Sequence, residues 1–336
     1  MQRANYCRGA ECEALPLVSG NTAEGPRMKR TWSRIALQLL LPALLANSSA
    51  LAQDTATVAR GFLQVLFGQM NLSRAYYEYA IPDFVEHNPE IGDGYAAKLS
   101  YFAERARQHP DYPPPSAWAN VIDHVLVDGN LFAVHRHVFT SPTDPGRVFV
   151  DLWRVAGGKI VEHWDVIQAV PAASLNANTM WCGIGSDYAA ARALRAAPEA
   201  PSCGPPDSKA SGAASLGVVE GYAQALGRGD AAYAVMTFNA AAYVQHSPDI
   251  ADGLEALSVH LASQVAGNAG QRPTNAIVHV VAEGDLVLLH RHVSRPDNLR
   301  GYVNMDLFRV RDGLIAEHWD VHQEVPATSV SGHPMW

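Results

Sequence analysis

This chain is written twice, and any fold it adopts has to accommodate that. VEHNPEIGDG at Val85–Gly94 returns as VQHSPDIADG at Val244–Gly253, so His246 follows His87 by 159 positions. VHRHV at Val134–Val138 returns as LHRHV at Leu289–Val293, EHWDV at Glu162–Val166 returns unchanged at Glu317–Val321, and Met180-Trp181 returns as Met335-Trp336, each 155 positions on. The difference of four falls after the first block, where the first copy carries the additional Pro113-Pro114-Pro115. Two copies at this period describe a duplicated domain rather than a solenoid.

Each copy has the same coarse order. In the first, Val58, Phe62, Leu63, Leu66 and Phe67 are spaced as one face of a helix, Ser73–Ala80 predicts a second helix stopping before Pro82, and Tyr95–Gln108 a third. Four strands are expected at Trp118–Val127, Asn130–Thr140, Arg147–Val155 and Lys159–Val170, with Asp128-Gly129 and Gly157-Gly158 as two-residue hairpin turns. Helices first and an antiparallel meander second give an α+β domain, the helices packed on one face of a curved antiparallel sheet.

The run FVEHNP, DGYAAKLSYF, HRHV, VDLWRV and GGKIVEHWDVIQ covers nearly all of each copy. It resembles the SnoaL-like branch of the nuclear transport factor 2-like superfamily, the polyketide-cyclase or aldol-condensation type. The resemblance implies two tandem cone-shaped cups. It also implies that His87 and His246 lie at the cup mouth as ligand contacts. The family spans cyclases, isomerases, epoxide-hydrolase-like enzymes and ligand binders, so fold alone does not choose a reaction.

Hairpin parity nominates the residues of the concave face, because partners across a two-residue turn point the same way. An Asp128-Gly129 turn sets Ile122 against His135 and Asn120 against His137, so Asn120, Ile122, His124, His135 and His137 share a face. A Gly157-Gly158 turn sets Leu152 against His163 and Val150 against Asp165. The second copy yields Asn275, Ile277, His279, His290, His292, His318 and Asp320. The catalytic candidates are therefore His135, His137, His163, Asp165, His290, His292, His318 and Asp320, and the ligand-binding candidates His87, Asn120, His246 and Asn275. His124 and His279 are expected to be hydrogen-bonded structural residues. The same parity turns Asp151, Trp153, Glu162, Trp164 and Arg136 to the opposite face, and an outward Arg136 departs from the Asp-Arg-Asp arrangement of the epoxide-hydrolase relatives. Gln168 and Gln323 carry no signal.

Met28, Lys29, Arg30 and Arg34 precede an apolar run from Ile35 to Leu45, and Ala50-Leu51-Ala52 follows. A basic start, a short apolar core and an A-x-A site are the parts of a secretory signal peptide. The expectation is export to the periplasm or medium, cleavage after Ala52, and translation starting at Met28 with 1–27 a non-structural segment. The mature chain divides into domain 1 at 53–181, a linker at 182–213 and domain 2 at 214–336. Cys182 and Cys203 are then its only thiols, and an even pair in an oxidising compartment suggests a disulfide stapling the linker. A net charge of −8 without a surviving basic cluster argues against nucleic acid as a partner. No later segment reads as a membrane span.

Three function classes follow. The first is acid/base chemistry on a carbonyl compound, of aldol-cyclase or isomerase type, with Asp165 as base or positioning group and His135 or His137 as partner. The second is a cup binding a small hydrophobic ligand without chemistry. The third is a metal site built on His-x-His. The favoured expectation invokes no metal and no cofactor. The two domains are expected to dock through their Trp-bearing sheet faces as a pseudo-dimer within one chain, with a homodimer of the chain a further expectation.

Overall fold

The computed structural model describes residues 55–110, 113–194, 200–266, 274–295 and 298–336. The signal-peptide expectation over 28–52 and the upstream segment 1–27 lie outside them.

The first half opens with helix α1 (55–63), which runs into a π-helical turn at Gln64–Gly68. Helix α2 (Leu72–Tyr79) starts at Asn71, whose side chain accepts from Arg74 N. Strand β1 (Ala80–Glu86) leads to α3 (Gly94–Gln108) and then to β2 (Ala119–Asp128), β3 (Leu131–Phe139), β4 (Arg147–Ala156) and β5 (Lys159–Ala169). Helix α4 (Tyr188–Leu194) follows within the expected linker. The second half repeats the plan: α5 (Gly212–Gly227), α6 (Ala231–Phe238), β6 (Asn239–Gln245), α7 (Leu254–Ala266), β7 (Thr274–Glu283), β8 (Leu286–Arg295), β9 (Asn298–Arg311) and β10 (Leu314–Glu324).

The two five-stranded sheets have the same topology, β1-β5-β4-β3-β2 and β6-β10-β9-β8-β7. The fold is mixed α+β, as the order of elements predicts. Each sheet also has a strand beyond the expected meander: β1 pairs parallel with β5, and β6 with β10. Pro82 is tolerated in β1 because that strand lies at the sheet edge, where a missing N–H breaks no inner ladder. No helix among the described residues is long and apolar enough to cross a membrane.

Each sheet has two buried faces. One is covered by its own helices: Phe62, Phe67 and Tyr76 pack against Phe84, Ile122, Phe132, Val134 and Trp153 in the first half. Val219, Tyr222 and Leu257 pack against Val287, Leu289 and Phe308 in the second. The other faces meet each other, merging Val121, Val150, Leu152, Trp164 and Val166 with Leu288, Met305, Leu307, Trp319 and Val321 in one apolar core.

The polar contacts across this junction come in reciprocal pairs. Val127 N donates to Glu283 (2.6 Å) and Ala282 N to Asp128 (3.2 Å). Ile167 N donates to Gln323 and His322 N to Gln168, both at 3.0 Å. Arg154 reaches His279 Nε2 at 3.0 Å, and Arg309 reaches His124 Nε2 at 3.2 Å. Such exchange is the mark of a two-fold contact between like surfaces. The tails after the last strands also cross over: Asn178 donates to Gln245 O (2.8 Å), and Val330 N donates to Pro89 O (2.8 Å).

Cys182 and Cys203 are disulfide-bonded, their Cα atoms 5.6 Å apart. Described residues of the linker are tied to the first sheet. Ser202 N and Cys203 N pair with the carbonyls of Ile122 and Asp123, and Tyr188 of α4 donates to Ala117 O.

Candidate functional site

Two β-bulges decide which side chains enter the cups. The first hairpin turns at Gly129-Asn130, with Asp128 opposite Leu131, and a bulge at Asp123 shifts the register so that His124 faces His135 while Ile122 faces Arg136. The second keeps its Gly157-Gly158 turn, but a bulge at Val161 sets Trp153 against His163 and Asp151 against Asp165. The same irregularities recur after Ile277 and after Ile315. A bulge inserts one residue, and one residue reverses every face beyond it.

The expected inward set is therefore split. His163 and Asp165 enter the first cup, and His318 and Asp320 the second. Asp151, Trp153 and Arg136, expected outside, enter with them, while Val150 and Leu152 turn to the inter-sheet core with Trp164. Asn120 is on the cup face, where it lines a cleft with Phe67, Met70 and Trp118. Asn275, its counterpart, accepts from Arg291 at 3.3 Å.

His135, His137, His290 and His292 do not reach the cups. His124 and His135 meet through Nδ1 in the inter-sheet layer, as do His279 and His290 (3.0 Å). His137 stacks on Trp181 and donates through Nε2 to Gly185 O (3.0 Å). His292 stacks on Trp336 and donates to Arg300 O (2.7 Å). Nor is His87 at a cup mouth: it lies flat on Trp164 and donates to Pro334 O of the other half (2.5 Å). His246 stacks on Trp319 and contacts Thr179 O at 2.8 Å. His87, His124, His135, His246, His279 and His290 lie in the joint between halves, while His137 and His292 stack on the tail tryptophan of their own half.

The first cup holds a continuous buried chain of charge. Lys98, one turn into α3, donates to Glu86 Oε2 (2.6 Å). Glu86 Oε1 lies 2.7 Å from His163 Nδ1, because parallel pairing sets the two residues side by side. His163 Nε2 faces Asp151 Oδ1 at 3.4 Å, and Asp151 Oδ2 accepts from Arg136 Nε at 2.8 Å. Asp165 accepts from Asn88 Nδ2 on both oxygens, at 2.9 and 2.8 Å. Glu86, Lys98, Asn88, Asp151 and Arg136 were not nominated from the sequence. Lys98 did leave a signal, since it interrupts the apolar stripe of α3 where the second copy has Leu257 between Leu254 and Leu261.

The electrostatics separate the carboxylates. Burial raises the Asp165 pKa and outweighs the opposing pull of His163. Burial alone would raise Asp151 and Glu86 too, but Arg136 on the one and His163 with Lys98 on the other hold each at about 2. Burial would lower His163, yet Glu86 and Asp151 raise it. The second cup repeats the core of this set: Arg291 donates to Asp306 (2.6 Å), Asp306 faces His318 (3.3 Å), and burial raises Asp320.

Asp151, His163 and Asp165 offer ligand atoms within 4.8 Å of one another, and so do Asp306, His318 and Asp320. A cation there would compete with Arg136 or Arg291 for a carboxylate already paired. The His-x-His imidazoles are not among these donors, while His163 and Asp165, expected to complete such a shell, are.

Comparison with solved structures finds TsrD from Streptomyces laurentii at 20% identity, covering 33% of this chain and 89% of that one, with a TM-score of 0.27. A steroid delta-isomerase from Pseudomonas aeruginosa aligns at 19% identity over 36% of this chain and 83% of its own, with a TM-score of 0.28. A nuclear transport factor 2-like protein from Burkholderia xenovorans aligns at 18% identity over 34% and 92%, with a TM-score of 0.27. No curated protein matches the chain. Residues 219–318, from within α5 to the histidine of the second cup, match the SnoaL-like domain family.

Proposed function

We propose that the protein is an exported acid/base enzyme acting on a small carbonyl compound, with SnoaL-like domains at 53–181 and 214–336. The observation that carries this is repeated in both halves: a carboxylate with a raised pKa two residues from a histidine, on one strand face of an apolar cup. A carboxylate of raised pKa is a stronger base than a solvated one, and it can take the proton beside a carbonyl. The adjacent imidazole is held at both nitrogens, between Glu86 and Asp151 in the first half and between Gln245 and Asp306 in the second, so its part is to position the charge around the base. Together they support enolisation and hence isomerisation or aldol-type ring closure. The Arg136 that sequence parity turned away from the site braces Asp151 within it.

The test is deuterium incorporation into a panel of cyclic ketones and 1,3-diketones in D2O, followed by proton NMR. The joint change Asp165→Asn and Asp320→Asn is expected to cost on the order of 10²-fold in exchange rate and to abolish the rise of rate with pH as the carboxylates ionise. Equal rates in parent and variant, at unchanged stability, would leave ligand binding without chemistry as the better account.

A further inference from the structure

The two cups carry the same Arg-Asp-His-Asp set but differ around it. In the first, Glu86 and Lys98 form a buried ion pair against His163; in the second, the same positions are Gln245 and Leu257. Gln245 turns its amide nitrogen to Tyr243 (2.8 Å) and its oxygen to His318 Nδ1 (3.2 Å), so no formal charge replaces the lost pair. Asn88, which occupies both oxygens of Asp165, becomes the shorter Ser247, which offers Asp320 a single hydroxyl. Asp320 Oδ1 has no hydrogen-bond partner although the atom is buried. An unpaired buried carboxylate oxygen is costly unless something completes it. Exposure follows the same trend: His163 is 1% exposed and His318 8%, while Asp165 is buried and Asp320 half-buried. Helix α4 is tied to the residues entering β2, Tyr188 donating to Ala117 O and Arg192 to Trp118 O, whereas Asn275 and Ile277 on the corresponding β7 are exposed.

We infer that the cups are unequal: the second is the one that takes a small, neutral, proton-donating ligand, and the first is closed by its own charges and serves as a scaffold. The free Asp320 oxygen is the acceptor such a ligand completes. Entry of a ligand into the first cup would displace Asn88 from Asp165 and strand parts of a chain of charge that is already neutralised internally. This deepens the acid/base reading and rests on it only for the catalytic half of the test.

Two measurements on the full chain decide it. Labelling with a water-soluble carbodiimide and glycinamide, mapped by peptide mass, reads carboxyl access without requiring catalysis. Label is expected on Asp320 in the folded protein and on Asp165 only after unfolding; label on Asp165 first, or on both alike, overturns the inequality. The second probe is 5-nitrobenzisoxazole. A carboxylate takes its ring C–H proton, the N–O bond breaks, the electron pair stays on the phenolate oxygen and a nitrile forms, so no co-reactant is needed. Release of the phenolate is expected to fall about 10²-fold in Asp320→Asn, and turnover that persists in this variant overturns the assignment. The triple change Glu86→Gln, Lys98→Leu and Asn88→Ser gives the first cup the second's residues and is expected to expose Asp165 to the label; an Asp165 that stays unlabelled in this variant overturns the account of its closure. If the parent turns over no probe, the acid/base reading fails, and the labelling pattern alone decides which cup is open.

Discussion

His124 Nδ1 and His135 Nδ1 meet at 3.1 Å in the layer between the two sheets, so one ring must donate and the other accept. A proton added to the accepting ring removes the bond and places a cation against its neighbour. The second half repeats the pair with His279 and His290. Burial pushes His135 and His279 down to about 4 and His290 to about 3, and Arg309 and Arg154 add repulsion at His124 and His279. The folded state therefore refuses protons that the unfolded chain accepts below about 6.5. The contribution of these rings should be flat above that pH, fall as pH drops from about 6.5 toward 4, and flatten once they titrate in the folded state, whereas His163, raised by Glu86 and Asp151, adds stability at low pH that is lost as pH rises through its folded pKa. The slope is about 1.4 kcal/mol per pH unit for each histidine that resists. Urea midpoints at pH 7.5, 6, 5 and 4 check it; a midpoint independent of pH between 7 and 4.5 would contradict it.

Reduction of the Cys182–Cys203 bridge should destabilise the chain. The bridge joins cysteines 21 positions apart, and it ties the tail that stacks Trp181 on His137 to the linker segment paired with Asp123. Chain-entropy arguments give about 3 kcal/mol for a loop of this size. Thermal melts of Cys182→Ser with Cys203→Ser against the oxidised parent measure it.

Removing Trp164 or Trp319 should loosen the joint between halves without touching cup chemistry. Each indole lies under a histidine of its own half, His87 or His246, and against one of the other half, His279 or His124. Trp to Ala in such a core costs about 3 to 5 kcal/mol. Limited proteolysis is the sharper readout, since cleavage between the halves should accelerate in Trp164→Ala while far-ultraviolet circular dichroism stays near that of the parent.

The repeat, the helix order, the meander and the α+β class were legible because each rests on local spacing or turn chemistry. The parallel strand β1 was not, since its partner β5 is remote in sequence. Face assignments succeeded for His163, Asp165 and Trp164 and failed for His135, His137, Asp151 and Arg136 for one reason: a bulge leaves no compositional mark at Asp123 or Val161, yet reverses everything beyond it. Gln168 and Gln323 were silent because each caps a backbone N–H of the opposite half.

The buried pair Glu86 and Lys98 offers a prediction whose control the molecule already contains. Lys98→Leu alone leaves Glu86, with no exposure to solvent, facing His163 without its ammonium partner. Glu86→Gln alone leaves the ammonium without its carboxylate. Breaking one side of such a pair costs about 3 to 5 kcal/mol, because the remaining charge is buried and uncompensated. The double change removes both charges at once and recreates the Gln245 and Leu257 combination that the second half packs at the same positions. It is expected to cost less than either single change, a strongly non-additive cycle. Glu86 also predicts the pH signature: its folded pKa of about 2 lies below the unfolded value, so its stabilisation is present above about 4.5 and is lost as pH falls toward 2. That loss should shrink by the share of Glu86 in the double variant, the part carried by Asp151 and Asp306 remaining, while the histidine-dependent loss between 6.5 and 4 should persist, so urea midpoints across the two windows separate the cup from the joint.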